Sequence, residues 1–375
     1  MPKAMNVGLV GCGMIRKQYL KACGESALLN LVGCADLVAE RERETCAEVQ
    51  EQGWGTPEPC TFEELLERDE IQLIMNITNP KAHYPLNVRA LTAGKHVYSE
   101  KPLAVTNEEG RELLAAAEAN GVRIGCAPDT FLGAGHQTTR KLLDDGLIGE
   151  PTAASLFFVG GGPDGYHEDP EFFFEKGAGP LQDNGVYALT MGVTLLGPVA
   201  RVMAMTKKTW DERKVLSKKK YGQPIPVEVP THIAATLEFA NGVIATFMNS
   251  FDIRGQHHLP HGEIYGTEGT LVLPNPNTFD NKPSMRQTAN PDAGWQEMEL
   301  TCGHAGTSRG VGAADIVAAV AHDRPHRASG ELAYQVLEIS NAIYRSGETG
   351  RAVDVESTLE RPLPFADGLI ADIRD

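Results

Sequence analysis

The chain has 375 residues, of which 42% are hydrophobic and 22% are charged, as is ordinary for a globular protein long enough for two domains. Its 34 Lys and Arg are outnumbered by 50 Asp and Glu, which gives a formal net charge of −16. Such a surface repels phosphate backbones and anionic lipids, so the composition disfavours nucleic-acid and membrane partners.

The first residues and the cysteines bear on where in the cell the protein is located. The chain opens without a signal-peptide pattern, and no apolar run approaches the roughly 18 residues of a membrane span. The seven cysteines form no CxxC pair, and their odd number argues against a disulfide framework. Metal-ligand spacing is absent too, so we predict no metal site and a location in the reducing cytoplasm.

Residues 5 to about 126 alternate short apolar runs with segments of helix-forming composition. The predicted strands are Asn6–Val10, Leu31–Ala35, Ile71–Ile77, His96–Tyr98 and Val122–Ala127. The predicted helices are Met14–Cys23, Ala39–Gln50, Phe62–Glu67, Tyr84–Ala93 and Glu108–Ala119. Thr61 and Thr106 each begin a capping box. This alternation predicts an α/β domain over residues 1–127, a doubly wound parallel sheet of the Rossmann type that binds a dinucleotide.

After residue 127 the pattern changes to strands with alternating or β-branched character. A helix is predicted over 135–145, and strands over 152–159, 200–207, 231–240, 242–250, 261–266 and 269–273. Asn241-Gly242 is a strong hairpin signal. We therefore predict an α+β domain over 128–375 with a largely antiparallel sheet. Residues 274–310 are expected to form a long loop, followed by helices over 312–322 and 329–346.

A glycine turn follows the first predicted strand. It reads Gly11-x-Gly13-x-x-Arg16, so the third glycine of the usual dinucleotide fingerprint is missing. That glycine serves helix packing rather than phosphate contact, so the phosphate site survives its loss. The predicted cofactor contacts at this turn are Gly11, Cys12, Gly13, Met14 and Ile15.

Asp36 ends the second predicted strand, where an acid can bind the adenosine ribose hydroxyls. A carboxylate there repels a 2′-phosphate, which favours NAD over NADP. Arg41 and Arg43 lie close enough in the sequence to leave NADP open.

Two further segments end predicted strands at the carboxyl edge of the sheet, where open α/β sheets bind their ligands. The first is Thr78-Asn79-Pro80 followed by His83; it is either a cofactor contact or an ordinary helix start, with Pro80 at the first position. The second is Glu100-Lys101-Pro102, in which the proline fixes a rigid turn beside the lysine. Thr78, Asn79, Pro80, His83, Glu100 and Lys101 are candidate cofactor contacts.

Asp183 and Tyr187 are four residues apart, so on a helical turn they share one face. Taken alone, Asp183 is more typical of a helix cap and Tyr187 of a core aromatic. Gly165-Tyr166-His167 lies just before them and is polar and aromatic, which suits sugar hydroxyls; a surface loop is the alternative. Tyr166 and His167 are therefore candidate substrate contacts.

Together these motifs resemble the Gfo/Idh/MocA oxidoreductases. The resemblance rests on Gly11-Cys12-Gly13, on Ala93-Gly94-Lys95-His96-Val97 leading to Glu100-Lys101-Pro102, and on Gly179-Pro180-Leu181-x-Asp183-x-Gly185-x-Tyr187. Asp144-Gly146-x-Ile148-Gly149-x-Pro151 and Tyr265-Gly266-Thr267-Glu268-Gly269-Thr270 continue it in register.

The resemblance implies a Rossmann domain followed by an open-faced sheet domain that carries the substrate pocket and often the oligomer contact. It implies hydride transfer at a carbinol carbon of a sugar, cyclic polyol or glycoside. Lys101 matches the family's catalytic lysine and Asp183 matches its motif aspartate. Tyr187 stands where the commoner pattern has histidine, as in the glucose–fructose oxidoreductases.

The proton of the substrate hydroxyl needs an acceptor. A free tyrosine has a pKa of about 10, which a nearby ammonium lowers by favouring the phenolate. We therefore predict Tyr187 as the general base, with Lys101 lowering its pKa and Asp183 orienting the substrate; the alternative makes Lys101 the proton carrier.

Lys101, Tyr166, His167, Asp183 and Tyr187 are the predicted substrate contacts. An NAD-dependent dehydrogenase of a sugar or polyol, in a homo-oligomer, is the favoured function. An NADP-linked keto-sugar or dicarbonyl reductase, glycoside cleavage by transient oxidation and a non-catalytic nucleotide-sensing regulator are the alternatives.

Overall fold

The structure is a computed structural model that describes residues 2–255 and 257–373. Its first part alternates strands and helices. In chain order these are β1 (Met5–Val10), α1 (Arg16–Glu25), β2 (Leu29–Ala35), α2 (Ala39–Glu51), β3 (Glu58–Pro59), α3 (Phe62–Glu67), β4 (Leu73–Asn76), α4 (Pro80–Thr92), β5 (His96–Ser99), α5 (Asn107–Ala119) and β6 (Ile124–Cys126). Both predicted capping boxes are present, with Thr61 capping α3 and Thr106 capping α5.

The later part is richer in strands. Its elements are α6 (Ala134–Asp144), β7 (Pro151–Val159), α7 (Val186–Leu196), β8 (Val199–Lys207), β9 (Glu212–Lys214), β10 (Pro224–Pro226), β11 (His232–Phe239), β12 (Ile244–Ser250), β13 (Gly262–Gly266), β14 (Gly269–Val272), β15 (Ser284–Gln287), β16 (Gln296–Glu297), β17 (Cys302–His304), α8 (Val311–Ala321), α9 (Gly330–Thr349), β18 (Val353–Asp354) and β19 (Gly368–Ile370). None of the helices in the described ranges combines the length and the hydropathy needed to cross a bilayer.

The chain divides into two compact units. The first runs from the amino terminus to Ala134 and also contains residues 302–334 and the segment from Phe365 to the carboxyl terminus; the second contains residues 135–301 and 335–364. This differs from the predicted division at residue 127, because two later segments belong to the first unit. The change in sequence pattern after residue 127 marks one position in the chain, whereas a compact unit can also include segments that come much later.

The first unit contains a six-stranded parallel sheet in the order β3-β2-β1-β4-β5-β6. The last four residues of β1 and all of β4 are buried, with Leu9 and Leu73 at zero exposure, as expected of a parallel sheet covered on both faces. The order reverses between β1 and β4, which makes the carboxyl ends of these two strands the binding edge of a doubly wound sheet. The predicted α/β Rossmann class is confirmed.

The second unit contains a nine-stranded sheet in the order β16-β15-β14-β13-β7-β12-β11-β8-β18. All neighbours are antiparallel except β7 and β12. α7 is buried along its whole length and packs against β7, where a Cβ on Gly192 would lie 2.7 Å from Leu156. The mostly antiparallel sheet of the predicted α+β class is confirmed.

The expected long loop over residues 274–310 is wrong in part. β15 and β16 extend the nine-stranded sheet, with Leu271 of β14 opposite Met285 of β15. Met285 is the one buried residue of β15, so a single apolar side chain fixes the strand's face among polar neighbours. One apolar position in four leaves no readable alternation in the sequence.

Candidate active site

The glycine turn lies at the carboxyl end of β1. Gly11 has φ +96°, and its N–H donates to the carbonyl oxygen of Ala35 at 2.8 Å. A Cβ on Gly11 would lie 2.9 Å from both the backbone nitrogen and Cγ2 of Thr78. Only glycine therefore fits here, and the turn packs against the loop that follows β4. This brings together the predicted site residues Gly11 and Thr78.

The start of α1 is open to an anionic ligand. A Cβ on Gly13 would meet no atom within 4 Å. Ile15 is the N-cap residue and gives no side-chain cap, and the first turn of α1 contains no acidic residue. Met14 beside it is 61% exposed. The positive end of the helix dipole fits a pyrophosphate at this position, although the N–H groups of Arg16 and Gln18 already donate to the carbonyl oxygens of Gly13 and Ile15.

Asp36 and Cys12 are joined directly. Oδ2 of Asp36 accepts from the backbone N–H of Cys12 at 2.7 Å. The Cys12 side chain is buried, and burial raises the pKa of its thiol to about 11, so it stays protonated. Oε2 of Glu42 accepts from the backbone N–H of Asp36 at 3.3 Å. Two carboxylates thus lie close together after β2, and the role of Asp36 in binding the adenosine ribose stays a prediction.

Arg16 stands where the usual fingerprint has its third glycine. Its Nε donates to Glu48 at 3.2 Å, and its Nη1 lies 3.4 Å from the carbonyl oxygens of Cys12 and Gly13. The guanidinium therefore braces the turn from the side of α2. The side chain that replaces the third glycine thus contacts the turn itself.

A buried amide network, which the sequence analysis missed, supports the loop after β4. Oδ1 of Asn76 accepts from the backbone N–H and the hydroxyl of Thr78 at 3.2 and 2.6 Å. Nδ2 of Asn76 donates to Asn87 at 2.8 Å, and Nδ2 of Asn87 donates to Ser99 at 2.9 Å. The ends of β4 and β5 are thus tied through α4. A polar residue inside the apolar run at 71–77 was the available signal.

Asn79 and Pro80 begin α4. Asn79 is the N-cap residue by backbone geometry but makes no side-chain cap hydrogen bond, and Pro80 occupies the first helical turn. Asn79 is exposed. The structure therefore agrees with the interpretation of this segment as a helix start. Contact between Asn79 and a cofactor stays a prediction.

His83 joins two loops of the candidate site. It is fully buried, with Nδ1 at 2.7 Å from the carbonyl oxygen of Pro102 and Nε2 at 3.2 Å from that of Thr78. Burial lowers the pKa of His83, so the ring is neutral and donates one hydrogen bond at a time. The shorter contact favours Nδ1 as the donor. His83 acts through its neighbours, and direct contact with a cofactor stays a prediction.

Glu100 and Lys101 directly follow β5. The backbone N–H of Glu100 donates to the carbonyl oxygen of Asn76 at 2.7 Å. The Glu100 carboxylate is 6% exposed; it accepts from the hydroxyl of Tyr19 at 2.7 Å and from the backbone N–H of Lys101 at 2.9 Å. Lys101 is half-buried. Glu100 therefore fixes the backbone that carries the lysine, at the same sheet edge as the glycine turn.

In the second unit, Asp183 and Tyr187 lie on either side of a change in helix type. Residues Leu181–Gly185 form one π-helical turn, and α7 follows without a break. The backbone N–H of Asp183 donates to the carbonyl oxygen of Gly179 at 3.0 Å. Tyr187 is 6% exposed, and its ring centroid lies 6.1 Å from that of Phe158 on β7. Single π-helical turns occur often at functional sites.

Tyr166 and His167 lie on the segment that follows β7. Tyr166 is 69% exposed. His167 contacts the rings of Phe172 and Phe173 at 5.4 and 5.1 Å, and its Nδ1 accepts from the backbone N–H of Asp169 at 3.0 Å. The ring of Tyr166 is therefore largely accessible to solvent, whereas His167 packs against aromatic neighbours. Their contact with substrate stays a prediction.

Metal ligands do not cluster in the described part of the chain: residues 2–255 and 257–373 contain no group of three or more His, Cys, Asp or Glu placed to hold an ion.

Comparison with known proteins shows the family. Residues 5–127 match a family profile described as an oxidoreductase family with an NAD-binding Rossmann fold, and residues 136–272 match the Gfo/Idh/MocA C-terminal domain. A 1,5-anhydro-D-fructose reductase of Ensifer adhaerens is 28% identical over 94% of this chain and 99% of its own. A levoglucosan dehydrogenase of Pseudarthrobacter phenanthrenivorans is 25% identical over 72% of this chain and 73% of its own.

Solved structures share the fold. A levoglucosan dehydrogenase in complex with NADH has a TM-score of 0.79 and 22% identity, over 94% of this chain and 100% of its own. The apo form of levoglucosan dehydrogenase has a TM-score of 0.81 and covers 95% of this chain. With both domain profiles matched in order, the chain belongs to the Gfo/Idh/MocA family of oxidoreductases.

Proposed function

We propose that the chain is an NAD-dependent oxidoreductase that transfers hydride between the nicotinamide and a secondary alcohol or ketone carbon of a sugar, cyclic polyol or glycoside. The observation that carries the proposal is the placement of Lys101 at the end of β5, fixed through Glu100, at the sheet edge that also holds the glycine turn. The named activities of relatives support the substrate class. They include a D-glucoside 3-dehydrogenase of Escherichia coli, 26% identical over 75% of this chain.

Bound NAD supplies the acceptor for the hydride. The turn at Gly11 and Gly13 and the uncapped start of α1 would hold the pyrophosphate, and Met14 and Ile15 would line it. Asp36 would accept hydrogen bonds from the adenosine ribose. Thr78, Asn79 and Pro80 would contact the nicotinamide end of NAD. His83 and Glu100 would hold the backbone near these residues in place.

We assign proton transfer to Tyr187, which would take the proton of the substrate hydroxyl during oxidation and return it during reduction. Lys101 would polarise the same oxygen and favour the phenolate, and Asp183 would orient the substrate. Tyr166 and His167 would contact other hydroxyl groups. The rival assignment gives the proton to Lys101 itself.

The substrate class is tested by screening sugars, inositols and glycosides with NAD and NADP separately, while measuring the absorbance of the reduced cofactor. Reduction of NAD by a member of these classes supports the proposal. No reduction with any of them, together with a stoichiometric protein partner, would favour a non-catalytic regulator instead.

The proton carrier is tested with Tyr187→Phe, and with Tyr221→Phe as a control because Tyr221 is 74% exposed. A drop in kcat of at least about 100-fold, the lower end for a general base, supports Tyr187. Near-normal turnover with a pH profile that depends on Lys101 would transfer the role to the lysine.

We also propose that the protein forms a homo-oligomer through the sheet of the second unit. Met203 and Met205 on β8 and Ile244 on β12 support this, because they expose 54%, 79% and 55% of their surface on the two strands that flank β11. Sedimentation of the wild type and of Met205→Lys tests it: a smaller species in the variant supports the interface, and a monomeric wild type overturns it.

Two further assignments stay proposals. We assign cofactor binding to residues 1–127, and substrate binding and oligomer formation to residues 128–375.

We place the protein in the cytoplasm, which is supported by seven buried cysteines that are all free thiols.

A further inference from the structure

One buried amide lies under the π-helical turn that carries Asp183. Asn249, on β12, has zero exposed surface. Its Nδ2 donates to the carbonyl oxygen of Phe158 on β7 at 2.7 Å and to Oδ1 of Asn184 at 2.6 Å. Both N–H bonds of the amide are therefore used. One fixes the amide to the sheet, and the other holds the residue directly after Asp183.

The oxygen of the same amide faces Gly185. A Cβ on Gly185 would lie 2.7 Å from Oδ1 of Asn249 and 3.1 Å from its Cγ. Any larger residue at position 185 would push the turn away from the sheet. The glycine between Asp183 and Tyr187 therefore follows from the position of Asn249, and φ plays no part because Gly185 has ordinary helical geometry, with φ −61°.

The buried amide oxygen makes the folded state less stable, so stability alone does not explain why position 249 is an asparagine. Oδ1 of Asn249 is buried and has no hydrogen-bond partner among the residues that the structure describes. An unpartnered buried acceptor is unfavourable, and an apolar side chain of similar size would avoid it. What an apolar side chain would lack is the pair of donors. The two donors are therefore the chemical reason for an amide at this position.

The turn needs such support because a π-helical turn is a wider and rarer geometry than an α-helical one. Here it spans Leu181–Gly185, and α7 continues directly from it. The width of this turn sets where Asp183 and Tyr187 lie relative to each other. The donor from the sheet reaches Asn184, which lies within this turn.

We infer that Asn249 is a positioning residue of the active site, which holds the turn so that Asp183 and Tyr187 keep their relative orientation. The inference rests on the proposed function, in which these two residues act on the substrate. Asn249 is too deeply buried to touch substrate, so it acts through Asn184 and Gly185.

The test is Asn249→Asp, which keeps the size of the side chain and replaces the two N–H donors by at most one O–H donor, that of a neutral carboxyl. We expect kcat for the best sugar substrate to fall at least 10-fold, while the KM and Kd for NAD stay within twofold. We expect the peptide covering residues 181–187 to exchange its amide hydrogens at least 10-fold faster by mass spectrometry. A purely structural role would not lower kcat while leaving the KM and Kd for NAD unchanged.

The matched control is Asn241→Asp, since Nδ2 of Asn241 also donates to a backbone oxygen, that of Leu196, at 2.9 Å. The control should leave kcat and the exchange of 181–187 within twofold. If Asn249→Asp does not fold, Asn184→Ala removes one of the two hydrogen bonds and should lower kcat about threefold with faster exchange.

Unchanged exchange in a folded variant overturns the inference, and so does faster exchange with kcat within twofold of the wild type. If the wild type oxidises no sugar or polyol, the proposed function fails. Exchange then still decides whether Asn249 holds the turn.

Discussion

The hydroxyl of Tyr19 donates a hydrogen bond to Oε1 of Glu100 at 2.7 Å. Burial and the adjacent carboxylate raise the pKa of Tyr19 well above its usual value, so the phenol remains a donor. The other carboxylate oxygen of Glu100 accepts from the backbone N–H of Lys101. The helix that starts at the glycine turn is therefore connected, through two hydrogen bonds, to the backbone of the candidate catalytic lysine.

Tyr19→Phe should loosen that connection. Removing a buried hydrogen bond to a charged group costs about 2 kcal/mol, and we expect urea unfolding to show a loss of this size together with a several-fold lower kcat. Tyr84→Phe is the control, because Tyr84 also donates to a carboxylate, that of Glu112, but at the surface between α4 and α5. An unchanged kcat in Tyr19→Phe would show that Lys101 keeps its place without Tyr19.

Gly11→Ala should weaken NAD binding at least 10-fold. Alanine at φ +96° is strained by about 1–2 kcal/mol, and its Cβ would also collide with Thr78. Gly53→Ala separates the two effects, since Gly53 has φ +70° and open space around its Cβ position. Fluorescence titration with NADH should show a change in Kd only for Gly11→Ala, whereas both variants lose stability. Equal Kd values would contradict the assigned cradle.

Asp36→Ser should shift the cofactor preference toward NADP. The substitution removes the carboxylate that would bind the ribose hydroxyls and repel a 2′-phosphate, while Glu42 remains nearby. We expect the ratio of kcat/KM for NAD to that for NADP to fall at least 10-fold. Glu51→Gln also removes one charge, from the exposed end of α2, and should leave the ratio unchanged. A constant ratio in Asp36→Ser would place the adenosine ribose elsewhere.

Stability should fall in mild acid because of a buried histidine in α6. Burial lowers the pKa of His136 to about 4, from an ordinary 6.5. Between these values the unfolded chain binds a proton that the folded chain does not, so the free energy of unfolding decreases as the pH falls from 6.5 to 4. The full difference corresponds to about 3 kcal/mol.

Urea unfolding of the wild type and of His136→Gln at pH 7, 6 and 5 measures this effect. The wild type should lose stability more steeply than the variant over that range. His96, whose pKa burial also lowers to about 4, and other buried histidines such as His83 contribute to the slope that remains in the variant. Parallel curves for the two proteins would show that His136 does not titrate as expected.

Much of the fold and part of the site were predictable because they depend on local signals. The parallel alternation through β6 follows from apolar runs and capping boxes, and Gly11 is readable from its place at the end of a strand. Glu100-Lys101 was readable for the same reason. These features need only a few consecutive residues to define them.

The supporting contacts were not predictable, because they join residues far apart in the chain. Tyr19 meets Glu100 across 81 positions, and Asn249 meets Asn184 across 65. A tyrosine on a helix and an asparagine in a strand carry no local pattern that names a partner. The two-residue strand β3 was missed for a related reason: both of its residues are exposed, so no apolar run marks it.

The parallel pairing of β7 with β12 has a consequence for changing what the enzyme accepts. Both strands end at the same sheet edge, at Val159 and Ser250, so the segments that follow them emerge side by side. If Tyr166 and His167 contact substrate as proposed, libraries that alter the length and side chains of these two segments should change specificity without altering the strand register or Asn249. The two paired strands are kept, and only the segments that follow them are varied.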